Sequence, residues 1–334
     1  MVTKNVSQHR VLDLFAGTGV GVAVRQLGAL DFGVEMMPAA LATRDHNKMT
    51  TVYENAWDAD LAEKLVFDTL WASPPCQKFS LAGKGDGRKA LEDVLAVIHT
   101  KGYVELKHLR EQAELLGDEK IGLVLSPLHY VNRYRPTYVV FEQVPPVLPV
   151  WEAMAVEMEE MGYSTWTGKL NSEQYGVPQA RTRAFLIARL DGKEAKPPTP
   201  THSRYYSSNP TKLDDNVLKW NTMFDALGWG WTNRPAPTVL GANVHGASGV
   251  ELFDRGSRAK MLDGIIAGTF IGNGRVVNPN TPLDPLRLLP KESAKLQSYP
   301  DDFTMIGTKS KQFLLSGNAV PPLMAKATLE AVWA

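Results

Sequence analysis

Residues 9–35 leave this chain little choice of architecture. His9 to Phe15 reads as a buried strand, Ala16-Gly17-Thr18-Gly19-Val20-Gly21 as a glycine-rich turn, and Val22 to Gly28 as a short helix stopped by glycine. Asp31-Phe32-Gly33-Val34-Glu35 is then a second strand ending in an acid. Strand, glycine turn, helix, strand and acid form a nucleotide-type βαβ unit, which demands a parallel sheet with a ligand at the turn. Four further strand-like runs begin at Phe67, Tyr138, Ser164 and Arg183, with helical patterns such as Met154–Met161 between them. This alternation predicts an α/β fold, a doubly wound Rossmann-like sheet, over residues 1–190.

The texture changes at Asp191. Lys196-Pro197-Pro198-Thr199-Pro200 reads as a linker, and the chain beyond it is rich in Gly, Pro, Asn and Trp without a sustained helical period. A second, smaller and irregular domain is expected over 191–285. Residues 286–334 regain helical pattern at Lys291–Ser298 and Pro321–Trp333, and are expected to return to the first domain.

The glycine turn alone does not name its ligand. Asp13-x-x-x-Gly17-x-Gly19 suits a nicotinamide, a flavin or S-adenosylmethionine equally. The spacing Gly17-x-Gly19-x-Gly21 lacks the Gly-x-Gly-x-x-Gly fingerprint of dinucleotide sites. An adenosine without a pyrophosphate needs no such cradle. Glu35 is placed to take a ribose diol, or to be a solvated strand end.

Bulk properties narrow the class. One cysteine in 334 residues excludes an internal disulfide framework and cysteine-rich zinc sites, and argues for a reducing compartment. No apolar run reaches a membrane span and the N-terminal residues carry no signal-peptide core, so a cytoplasmic protein without a membrane partner is expected. The formal net charge is zero, with 36 basic and 36 acidic residues, so no overall basic surplus points to nucleic acid.

The lone cysteine, Cys76, lies in Ser73-Pro74-Pro75-Cys76-Gln77-Lys78-Phe79-Ser80, between a strand and the glycine-rich run 83–87. The prolines restrict the backbone before the sulfur, and the glycines free the segment after it. That placement suits a nucleophile or, taken alone, a small buried apolar residue. Glu142 ends another strand, Arg181 and Arg183 lead into a third, and Ser316-Gly317-Asn318-Ala319-Val320-Pro321-Pro322 precedes the last helix. Each has an ordinary structural explanation by itself.

In this order the segments resemble the DNA cytosine-5 methyltransferase family of bacteria and phages. The resemblance is carried by Asp13-Leu14-Phe15-Ala16-Gly17-Thr18-Gly19, Pro75-Cys76-Gln77-x-Phe79-Ser80, Glu142-x-Val144, Gln179-x-Arg181-x-Arg183 and Gly317-Asn318-Ala319-Val320-Pro321-Pro322. Leu296-Gln297-Ser298-Tyr299-Pro300 looks like the family's penultimate motif. The stretch 191–285 falls where the family keeps its target-recognition domain.

The resemblance implies methyl transfer from S-adenosylmethionine to C5 of a cytosine flipped out of double-stranded DNA, leaving S-adenosylhomocysteine and needing no metal. C5 is a poor nucleophile until a thiolate adds at C6, a role that falls to Cys76. Glu142 would serve as the acid at N3, Arg183 would face O2, and Arg181 would hold Glu142. Phe15, Glu35, Met36 and Asp58 would meet the adenosine. Asp13, Ala16, Gly17, Thr18, Gly19, Pro75, Asn318 and Val320 complete the implied cofactor set. Gln77, Ser80 and Arg88 would touch DNA, and the loop after Cys76 would close over the flipped base. A monomer is expected, with a cognate restriction endonuclease as a companion.

The chain departs from the family's pattern in three places. Gln143 follows Glu142 where the family usually has Asn, Met36 replaces an aromatic seen in some members, and 66 residues separate Cys76 from Glu142. The extra length in 91–122 carries a charged amphipathic pattern at Tyr103–Arg110, suited to a lid, a DNA clamp or a solvated surface helix. In the second domain, His202, Arg204, Tyr205, Tyr206, Lys212, Trp229, Trp231, Arg234, Arg255, Arg258, Lys260 and Arg275 are the candidates for recognition, with Trp220, Trp229 and Trp231 expected in its core rather than stacking on bases. Other readings are tRNA cytosine methylation, a DNA-binding homologue without catalysis, and a nicotinamide dehydrogenase.

Overall fold

A computed structural model describes residues 8–75, 85–115, 119–241, 257–274 and 288–334. Its centre is a seven-stranded sheet. β1 (Arg10–Leu14), β2 (Leu30–Val34), β3 (Thr51–Tyr53), β4 (Thr69–Ala72) and β5 (Tyr138–Gln143) run parallel, and β6 (Ser164–Asn171) and β7 (Thr182–Arg189) close one edge. The strand order is β3-β2-β1-β4-β5-β7-β6, with β7 antiparallel to both neighbours. The order reverses at β1, between β2 and β4. In such sheets ligands collect at the carboxyl ends of the strands beside that switch point.

Helices cover both faces. α1 (Gly19–Gln26) packs with α11 (Pro322–Trp333) against one face, burying Val20, Val24, Met324 and Leu329 with Trp71 and Phe185 of the sheet. The other face carries α3 (Gly85–His99), α5 (Glu119–Tyr134) and α6 (Leu148–Glu160), with Ile98, Leu128 and Trp151 fully buried against Leu12, Leu70 and Phe141. Each such side chain contributes roughly 2 kcal/mol of burial. Central β1, β4 and β5 are accordingly apolar on both faces, as a parallel sheet requires.

The long segment after Cys76 is structural where it is described. α3 already includes Gly85 and Gly87, so the second part of the expected glycine loop is helical. α4 (Leu106–Leu115) buries Leu109 and Ala113, and its exposed side carries the Lys107–Glu111 and Arg110–Glu114 pairs. His129 is buried, with its Nδ1 within hydrogen-bond distance of the Tyr103 and Val104 carbonyls, and Tyr103 donates to Glu157. The amphipathic pattern is thus a packed helix with a solvated face.

The second region is a small body around Met223, Trp229, Trp231, Met261 and Phe270. It contains α7 (Met223–Leu227), α8 (Ser257–Ile266) and a two-stranded ribbon, β8 (Gly230–Trp231) with β9 (Phe270–Ile271). Trp231 meets the Phe270 ring edge-on at 5.1 Å, and Trp220 is also buried. The tail divides: α11 joins the sheet, whereas α9 (Pro290–Leu296) and α10 (Lys309–Asn318) give Leu296 and Phe313 to the small body's core. Neither β3 nor α10 was expected from the sequence. β3 is three residues long, and α10 holds a Ser-Gly-Asn sequence that reads locally as a turn. No helix among the described residues is long and apolar enough to cross a membrane.

Candidate active site

The motifs converge on one edge of the sheet. The glycine turn leaves the carboxyl end of β1, Ser73-Pro74-Pro75 leaves β4, and Glu142 ends β5. Antiparallel β7 brings Arg183 to the same edge, in the register that pairs Glu142 with Phe185.

Glu142 is buried, and the Arg183 Nε stands 3.3 Å from its Oε1. Burial raises the Glu142 pKa above the usual carboxylate value, opposed by Arg183, then Arg181, then a hydrogen bond from Ser73. The result is a carboxyl that can hold a proton in a polar, cationic pocket. Arg181 differs from the expectation that it would hold Glu142. Its guanidinium donates to the carbonyls of Val239 (3.2 Å), Gly317 (3.0 Å) and Ala319 (3.2 Å). The direct partner of Glu142 is Arg183, and Arg181 instead ties Val239 of the small body to the junction before α11.

Gln143 also has a defined task. Its amide nitrogen donates to the Pro74 carbonyl, and its side-chain oxygen accepts from the Val144 N–H at 2.6 Å. The extra methylene relative to Asn is taken up by this reach to the strand leading to Cys76. Cys76, Gln77, Ser80, Arg255 and Arg275 lie outside the described residues, as do the side chains of Arg88 and Arg258.

At the glycine turn, Phe15 and Gly17 both have positive φ, 60° and 47°. Glu35 holds the turn open from the end of β2, accepting from the N–H groups of Gly17 (2.7 Å), Met36 (2.9 Å) and Met37 (2.7 Å). Met36 is 65 % exposed, and Asp58 and Asn318 also face solvent. Pro75 is half-buried, while Ala16, Thr18 and Val320 are buried behind the turn. The Thr18 and Tyr299 hydroxyls share a hydrogen bond of 2.6 Å. Asp13 lies beneath the turn, buried, and its Oδ2 has no hydrogen-bond partner among the described residues.

Two glycines bring distant segments together without side chains between them. A Cβ on Gly19 would stand 2.0 Å from the Val320 carbonyl oxygen, and one on Gly317 would stand 2.1 Å from the Gly241 nitrogen. Gln179 completes the junction, donating to the Leu296 carbonyl and the Gln297 side chain and accepting from the Val239 N–H at 2.7 Å.

Sequence reasoning missed Arg44. It sits in α2 (Pro38–His46), is fully buried, and reaches under the glycine turn. The available signal was Gly33 inside a buried strand, which marks a close approach.

The family described as C-5 cytosine-specific DNA methylase matches residues 9–99 and 112–333, nearly the whole chain. The chain belongs to that family. It is a cytosine-5 methyltransferase by membership, with its motifs gathered on one sheet edge. A type II methyltransferase of Arthrospira platensis, M.AplI, is 27 % identical over 351 residues, covering 98 % of this chain and 86 % of the relative. Another, M.HgiDI of Herpetosiphon aurantiacus, is 25 % identical over 337 residues, covering 95 % and 91 %. The solved structure of a Spodoptera frugiperda DNMT2 mutant shares the fold, with a TM-score of 0.61 and 15 % identity over 98 % of this chain and all of the other.

Proposed function

We propose that the protein transfers a methyl group from S-adenosylmethionine to C5 of a flipped cytosine in duplex DNA, through a covalent bond between Cys76 and C6. The observation that carries this reading is the buried Glu142–Arg183 pair beside Ser73-Pro74, with Glu142 inclined to hold a proton.

The chain's residues divide the work. Cys76, as thiolate, adds to C6 and opens the C5–C6 double bond. Glu142 gives its proton to N3, so that the ring becomes an enamine rather than an anion. Arg183, already at the Glu142 carboxyl, stabilises charge at O2 and steadies the carboxylate after the proton has left. C5 then takes the methyl group, a base removes H5, and the Cys76 sulfur departs as thiolate while C5–C6 closes and the N3 proton returns to Glu142. Gln143 positions the strand that carries Cys76. Arg181 is a positioning residue acting through backbone carbonyls.

The turn at Phe15–Gly19 fits S-adenosylmethionine on the structure's own terms. It presents a carboxylate with an acceptor direction to spare at Glu35 for a ribose diol. Phe15, Glu35, Met36 and Asp58 would hold the adenosine, and Asn318 with the Gly17 backbone the methionine end. When bound, the cofactor supplies an electrophilic methyl on a sulfonium.

The type II relatives favour DNA and a cytoplasmic enzyme with a restriction endonuclease as companion. Duplex DNA carrying 5-fluorocytosine in recognised sites tests the reading, because fluorine cannot leave as H5 does. A covalent adduct that requires Cys76 and S-adenosylmethionine is expected. Tritiated methyl appearing in tRNA and not in DNA would reject the DNA assignment.

A further inference from the structure

Arg44 is a fully buried cation that the proposed chemistry does not use. Its Nη2 donates to Asp31 Oδ2 at 2.8 Å and to the Thr50 carbonyl at 2.6 Å, and its Nε to Thr51 Oγ1 at 3.0 Å. Its Nη1 points up at the Gly17 carbonyl, 3.4 Å away. The fold makes room for this arrangement with two glycines. A Cβ on Gly33 would stand 2.0 Å from Arg44 Nη2, and one on Gly21 would stand 2.5 Å from Asp31 Oδ2.

A buried ion pair is a poor device for stability alone, since well-packed apolar side chains of similar volume do as well or better. What an apolar pair would lack is a donor beneath Gly17. We propose that Arg44 is a positioning residue of the cofactor turn, fixing the Gly17 carbonyl from below while Glu35 fixes the Gly17 N–H from the side. The inference rests on the assignment of that turn to S-adenosylmethionine. Gly17 has positive φ and no Cβ, so its two peptide groups need external partners to keep one orientation. The guanidinium fork can serve Asp31 and Gly17 at once, whereas a lysine ammonium is a single point. Asp13 shares the pocket, and Arg44 offsets its crowding by Asp31 and Glu35.

Calorimetric binding of S-adenosylhomocysteine, read beside the melting temperature of the ligand-free full chain, tests this. Arg44→Lys is expected to weaken binding by about tenfold, the worth of one charge-assisted hydrogen bond, with a small change in melting temperature. The double variant Asp31→Asn, Arg44→Met removes both charges. It is expected to melt higher than Arg44→Met alone and yet to stay weak in binding, with KM for S-adenosylmethionine raised and kcat at saturation kept. Affinity that returns together with stability in the double variant would reduce Arg44 to a structural role, as would unchanged binding in Arg44→Lys. Wild-type protein that binds no S-adenosylhomocysteine would overturn the cofactor assignment itself, and the role of Arg44 with it.

Discussion

Gln143 reaches from the end of β5 to the carbonyl of Pro74, two residues before Cys76, and its own oxygen is fixed by the Val144 N–H. The side chain thus links the strand that holds the acid to the strand that leads to the nucleophile. Gln143→Ala removes both bonds and leaves the Pro74 carbonyl without this donor. A fall of about a hundredfold in single-turnover methyl transfer is expected, as a misplacement of about 1 Å costs. S-adenosylhomocysteine affinity should not change, and calorimetry on the same sample checks that.

In the proposed chemistry Glu142 must hold a proton to act, and burial raises its pKa against Arg183, Arg181 and Ser73. Activity should therefore fall as pH rises through that raised value. Replacing Arg183 by Gln takes away the largest opposing influence, so the falling limb should move to higher pH while the rate drops. Glu142→Gln cannot titrate, and should flatten this limb and slow transfer by about a hundredfold or more. Rate profiles of kcat for the three proteins provide the check.

Glu173 gives the stability curve a sign. It is buried, burial pushes its pKa up to about 7, and the backbone N–H groups of Glu173 itself, Tyr205 and Arg181 only partly offset this. A carboxyl whose folded pKa is raised favours the folded state below its unfolded value and loses that contribution as pH rises. The protein should lose roughly 3 kcal/mol between about pH 4.5 and pH 7 from this group. Glu173→Gln should flatten that part of the denaturation profile, measured as urea midpoint against pH.

The glycine contacts set a steric limit. Gly19→Ala would drive a methyl to 2.0 Å from the Val320 oxygen, against backbone that cannot rotate away. A loss of about 3 kcal/mol or failure to fold is expected. Gly28→Ala meets nothing within 4 Å and pays only for its positive φ, so it should cost about 1 kcal/mol. Thermal melts of the two variants side by side distinguish packing from backbone strain.

The parallel core was legible because its strands are short apolar runs between glycine and proline signals, and β1, β2, β4, β5, β6 and β7 fall where those runs lie. β3 was not, since its three residues have no period to read. The helix at Gly85–Gly87 ran against composition: glycine argues for a loop, and packing of Val94, Val97 and Ile98 on the sheet outweighs it. At the site, the sequence marked Glu142, Arg183 and Gln143 as residue types. The resemblance gave the acid to Arg181, whereas Arg183 meets it, because the two arginines are alike in spacing and differ only in what lies across from them. For Arg44 the sequence offered only Gly33 as a mark of close approach, and not its partners, which come from β2, from the segment around β3 and from the glycine turn.

The close fit of Gly317 against Gly241 has a consequence for exchanging recognition between relatives. The short stretch Ala236–Gly241 is clamped by Gln179, Ala180, Arg181 and Gly317, through backbone pairing at Ala236, the Thr238 hydroxyl on the Ala180 carbonyl, and the Gln179 and Arg181 side chains on the Val239 backbone. It is a seam. A transplant that cuts beyond Gly241 inherits this chain's seam intact but must supply a new partner for β8 and a new half of the small body's core. One that cuts inside it must rebuild the arginine's carbonyl partners from another protein's backbone. Where the knife falls, by a handful of residues, decides whether a hybrid enzyme is assembled or merely expressed.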